Sequence, residues 1–201
     1  MQPVAVRIIR EEHTAIAAVL HSLEYVVHKL EEGAEPNFQL LSAMLEYIVE
    51  YPERCHHPKE NRCLFKTLRE RNPSTAPLID ELEAEHARGD ELLKSLSQAL
   101  ARYRSKGRGA LRAFSQAVTT YAEFHWQHMT KEEDVLLPIA KRSLTDSDWQ
   151  EIAGAFLQND NPLVGLRPKE HFAQLFDRIL NLTSKPTTTT EPTESLVSRD
   201  A

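Results

Sequence analysis

Apolar residues recur every three or four positions along the start of the chain: Val6, Ile9, Ile16, Leu20, Leu23, Val27 and Leu30 share one face. That spacing predicts an amphipathic helix with Pro3 in its first turn and Gly33 as its stop. Pro36 opens a second helical segment, interrupted by Pro52 and Pro58, that runs to about Arg71. Asn72 and Pro73 read as the cap and first residue of a third helix, whose stripe Ile79, Leu82, Leu93, Leu96, Leu100 stops near Lys106 and Gly107. A fourth helix is expected from about Arg108 to Ser143. Thr145, with Asp148 three residues later, signals a short fifth helix through about Leu157.

Beyond that point "QNDNPLVGLRP" reads as a loop and 169–182 as a last amphipathic turn or helix. The stretch "SKPTTTTEPTESLVSRDA" (184–201) is too poor in apolar residues to pack and is expected to be a disordered tail after one domain, 1–183. Long helices joined by short loops predict an all-α fold. The expected architecture is an antiparallel up-down-up-down four-helix bundle with one or two short extra C-terminal helices.

Composition narrows the function. A chain of 201 residues supports one well-packed core, and its 7% aromatic content and six glycines fit helices better than sheets. The net charge of −6 gives no electrostatic case for nucleic acid or an anionic membrane. No apolar run approaches the length of a membrane span, and "MQPVAVRIIREEH" lacks the order of a secretion signal. With two cysteines and no such signal, the expected compartment is the cytoplasm.

The conspicuous stretch is "YPERCHHPKENRC", residues 51–63. Cys55 and Cys63 would stand ~12 Å apart along one helix, which disfavours a thiolate clip. Cys63 reads as a small core residue. His56 and Glu60 are four residues apart and ~40° from each other around the axis, so both face one way. The pair recurs on the fourth helix as His128 and Glu132. His13 falls within the apolar stripe of the first helix, and His86 within that of the third. Counted from the ends of the helices that share a level in an up-down bundle, these residues lie ~14–20 Å deep. Four histidines and two glutamates therefore converge on one layer. Burying them demands a counter-charge, which a pair of metal ions supplies. Imidazoles and carboxylates without thiolate suit iron or manganese, and two glutamates can bridge two ions.

Any one of these histidines, taken alone, is best read as a hydrogen-bonded core residue; the shared depth is what raises the set above that. His57 and His125 read as neighbours of the site, Tyr51 and Tyr121 as core or gate residues, and Glu53 and Glu133 as solvent-facing. His21 and His28 point off the stripe, and His171 falls outside the bundle. Pro58 removes a helical hydrogen bond and is expected to bias His57 away from helical geometry, kinking the segment that carries His56 and Glu60.

In "YPERCHHPKE" and "HMTKEE", and over roughly 4–143, the chain resembles the hemerythrin-like family, also called HHE cation-binding domains, of the bacterial stand-alone type. The resemblance implies a bundle around a non-haem pair of iron ions, oxo- or carboxylate-bridged. It implies His13, His56, Glu60, His86, His128 and Glu132 as ligands, with Glu60 and Glu132 bridging. It also implies a small diatomic or peroxide ligand, bound or reacted with in oxygen or oxidative-stress handling. A peroxide-decomposing, catalase-like enzyme and a bundle storing a single ion are the alternatives. The departure lies on the third helix, where oxygen-carrying members have two histidines four residues apart. Here Asp90 stands four after His86, either completing the shell as a carboxylate or leaving a position open. A ferritin-like arrangement wants Glu-x-x-His on two helices, and only Glu83 and His86 provide one.

Overall fold

The computed structural model describes residues 2–158. The expected last helix and the tail, together with His171 and the boundary at 183, lie outside them. The first helix, Val4–Glu31, ends where Gly33 turns to φ +109° and the Gly33 and Ala34 amides bond back to Leu30 and Lys29. This double closure uses the one residue type that adopts a left-handed backbone without strain. The second helix spans 38–71 and is capped by Asn37, whose side chain accepts from the Leu40 amide at 3.0 Å. A 3-10 turn at Pro73–Thr75 leads into the third helix, Ala76–Lys106, and a second at Gly107–Ala110 leads into the fourth, 111–143. The fifth helix, Asp146–Leu157, opens on the reciprocal Thr145–Asp148 cap.

The core is two apolar clusters at opposite ends of the bundle. One joins the start of the first helix (Val6, Ile9), the end of the second (Leu64, Leu68), the start of the third (Ile79, Leu82) and the end of the fourth (Leu136, Ala140). The other joins Leu23, Leu45, Leu96 and Phe114. Successive helices therefore run in opposite directions, as the short loops require. The fifth helix closes the first cluster with Trp149, Ile152 and Phe156. It is tied to the second helix where Arg71 donates through Nε and Nη2 to the Asp148 carboxylate at 3.0 and 2.8 Å. Among the described residues no helix is long and apolar enough to cross a membrane.

Two of the long helices are not regular. The second widens to i→i+5 hydrogen bonding over Val49–His56 and again over Glu60–Phe65, and the fourth does so over Glu132–Leu136. Such widened turns concentrate at functional sites. Here they flank His56 and Glu60 and begin at Glu132. The expectation about Pro58 is corrected in part: His57 keeps helical dihedrals (φ −55°, ψ −42°), and its amide reaches back five residues to Pro52 O. The segment absorbs its prolines by widening its turns, and His57 itself stays helical.

Candidate metal centre

Between the two apolar clusters lies a polar layer. His13, His56, Glu60, His86, His128 and Glu132 meet there, each no more than 6% exposed. The rings come in pairs: His13 Nε2 lies 3.1 Å from His56 Nε2, and His86 Nε2 lies 3.0 Å from His128 Nε2. Glu60 and Glu132 lie across both pairs. Glu60 Oε1 faces His56 at 3.3 Å and His13 at 3.8 Å, while its Oε2 faces His86 at 3.6 Å. Glu132 reverses the arrangement: Oε2 faces His13 at 3.3 Å, and Oε1 faces His128 at 3.4 Å and His86 at 3.8 Å. None of these four buried oxygens has a hydrogen-bond partner among the described residues.

Behind the rings stands an outer set of acceptors. The Nδ1–H of His13 donates to Glu133 at 3.0 Å, that of His56 to Glu12 at 2.7 Å, that of His86 to Asn61 at 2.8 Å and that of His128 to Glu85 at 2.9 Å. Committing each Nδ1 outward fixes the ring and turns Nε2 to the centre, as around metal-bound histidines. Lys131 holds Glu85 in turn, and Arg10 lies 3.4 Å from Glu133.

His57 is more deeply involved than its position in sequence suggests. Two sets of four potential ligands each lie within 4.8 Å of one another: His13, His56, Glu60 and Glu132, and His57, Glu60, His86 and His128. Glu60 belongs to both. The His57 ring stacks on His86 at 4.2 Å, and its Nδ1–H donates to Glu53 at 3.2 Å.

Charge in the layer is balanced between acids and rings. Burial works against a protonated His13, yet Glu132, Glu133 and Glu60 hold it well above the ordinary histidine range. His56 is likewise disfavoured by burial but raised to about 9 by Glu60 and Glu12. Burial and the neighbouring Glu60 push Glu132 up, and His128, His13 and His86 outweigh them to hold it at about 2. Glu60 is held well below the carboxylate range by His56 and His13 against burial. His57 goes the other way: burial and then His86 lower it well below the ordinary value, leaving a neutral ring.

Three other expectations change. Glu53 is not solvent-facing; its side chain is 5% exposed, accepts from Tyr121 Oη at 2.9 Å, and is raised to about 7, chiefly by burial. Glu133 is only half-exposed and is bonded to His13. Asp90 is exposed and joins neither set of ligands. His125 is buried beside Tyr121, 3.6 Å from Glu53, and burial lowers it to about 3. Tyr51 is buried, its ring 6.4 Å from that of His56, and Phe156 of the fifth helix packs edge-on against His56 at 6.1 Å. His21 and His28 point to solvent, and Cys55 and Cys63 pack against different apolar clusters. Glu12, Asn61 and Glu85 escape a reading of the sequence because surface acids and amides are common on helices. The signal available for Glu12 and Glu85 is that each directly precedes a stripe histidine.

Two openings reach the layer. A cavity of about 330 Å³ between the first and fourth helices reaches His13 past Ala17, Trp126 and Met129. A cleft of about 240 Å³ between the second and third reaches His57 and His86.

Compared with known protein families, residues 4–140 match the family described as Hemerythrin HHE cation binding domain. No curated protein and no solved structure matches the chain.

Proposed function

Because the chain belongs to the hemerythrin HHE cation-binding domain family, we propose that it is a non-haem diiron protein that binds or reacts with oxygen, hydrogen peroxide or nitric oxide. The carrying observation is the lie of Glu60 and Glu132, each fully buried with one oxygen toward either histidine pair and no hydrogen-bond donor of its own. Buried carboxylates need counter-charge, and two cations bridged by these groups supply it. The donors are imidazole nitrogen and carboxylate oxygen with no thiolate, which fits iron. In this reading His13 and His56 would hold one ion and His57, His86 and His128 the other, with Glu60 and Glu132 shared between them. With Nδ1 committed to Glu53, His57 offers Nε2. It thereby stands in for the histidine that oxygen-carrying members have on the third helix.

An iron pair supplies electron exchange with small oxidants and affinity for diatomic ligands. The chain supplies the rest. Glu12, Glu133, Glu85, Glu53 and Asn61 hold the rings in one tautomer. Apolar clusters above and below, with Phe156 against His56, keep bulk water from the layer. The openings of about 240 and 330 Å³ stand at the small end of the range for ligand pockets, which suits a ligand of a few atoms.

The test is spectroscopic. Iron-loaded protein should show absorption bands that shift on adding peroxide, azide or nitric oxide; a spectrum indifferent to all three overturns the reading. Oxygen evolution from peroxide, abolished by Glu132→Ala, marks turnover; bands that shift without it mark binding or sensing.

A further inference from the structure

The two openings reach the layer from opposite sides of the bundle and differ in chemistry. Between the first and fourth helices the walls are Ala17, Trp126 and Met129 with two threonines, His13, Glu133 and the exposed Asp134. The acid there that touches the site, Glu133, is matched by His13 at 3.0 Å and Arg10 at 3.4 Å. Between the second and third helices the walls are polar: Glu53, His57 and Asn61 on one side, Glu83, His86 and Asp90 on the other. Glu83 is matched by Arg69 at 3.0 Å. Asp90 instead stands exposed at the mouth, and the Glu53 side chain is buried beside His57.

This cleft ends on His57 and His86, the histidines grouped with Glu60, whose two buried oxygens have no hydrogen-bond partner. Carboxylates thus stand at the mouth (Asp90) and in the wall (Glu53), and Glu60 lies behind the histidines on which the cleft ends. A cleft lined by one sign of charge concentrates ions of the opposite sign and raises their association rate by ~10- to 1,000-fold, an effect that salt removes.

We propose that the cleft between the second and third helices is the passage by which divalent iron reaches the buried layer. Asp90 draws the hydrated ion from solvent, and Glu53 guides it to His57 and His86. Asp90 serves the route and is no part of the final ligand set. The proposal rests on the diiron reading, and the experiment separates the two.

Metal-free full-length protein is mixed anaerobically with ferrous iron at low salt, and bound iron is followed in time after quenching with a chelator. Asp90→Asn should slow loading several-fold while reaching the same final occupancy. Added potassium chloride should slow the wild type more than this variant. Ala87→Phe, which fills the cleft from an exposed wall position, should slow loading at every salt concentration. Asp134→Asn, at the opposite cavity, should load at the wild-type rate. Wild-type rates in both Asp90→Asn and Ala87→Phe would overturn the passage, as would slow loading confined to Asp134→Asn. A wild-type end point below two irons per chain would instead overturn the diiron reading, whatever the rates.

Discussion

Glu12 Oε2 lies 2.7 Å from His56 Nδ1, so an acid of the first helix sets the ring of a histidine on the second. Glu133 does the same for His13 at 3.0 Å, and Glu85 for His128 at 2.9 Å. These contacts cross between helices, so the outer acids also fix the register of the bundle around the layer.

Removing such an acid frees the ring to rotate and weakens it as a ligand. Glu12→Ala should lower iron affinity ~10- to 100-fold with the fold intact, read by competition against a chelator. Glu12→Gln, which keeps an acceptor, should fall between. Unchanged affinity in Glu12→Ala would show that the contact does not tune the site.

Glu60, proposed to bridge the two ions, and His128, paired with His86, are expected to be indispensable. Glu60→Ala and His128→Ala should each lose most of the bound iron, measured by elemental analysis after desalting. Full occupancy in both would refute the ligand assignment.

Loading should release protons. His13 and His56 are both held above the ordinary histidine range, and their Nε2 atoms, 3.1 Å apart, share a proton at pH 7 that a metal must displace. Iron affinity should therefore climb as pH rises from 7 toward 9, with proton release visible in a weakly buffered indicator assay. Affinity flat across that window would contradict the charge balance described.

The cap of the fifth helix gives a stability test away from the metal. Thr145→Ala should cost about 1 kcal/mol, or ~2–4 °C in Tm. Asp148 is lowered below the ordinary carboxylate range by Arg71 and by Thr145. A lowered acid stabilises the fold above its unfolded pKa and loses that contribution as pH falls through the folded value. The Tm gap between wild type and Asp148→Asn should be full at pH 7 and narrow below about pH 4. A gap constant down to pH 3 would rule out the ion pair as its source.

Much of this layout is legible in the chain because its signals are periodic. The stripe from Val6 to Leu30 and the stop at Gly33 mark the first helix, and Thr145 with Asp148 marks the start of the fifth. Depth along a helix depends only on rise per residue, so His13, His56, Glu60, His86, His128 and Glu132 count to one level from sequence. Direction around the axis is less secure. The i→i+5 turns over Val49–His56 rotate less per residue than a regular helix, so angles counted at 100° drift. Glu53, counted toward solvent, and His57, counted only as a neighbour of the site, turn in toward the layer for this reason. The outer acids are hidden differently: Glu12 and Glu85 each precede a stripe histidine, but the ring each one meets lies on another helix.

Iron per chain is the most direct test. Metal-free protein loaded with excess iron, desalted and analysed against amino-acid content should retain two irons per chain. A ratio of one or none would contradict a two-ion site bridged by Glu60 and Glu132.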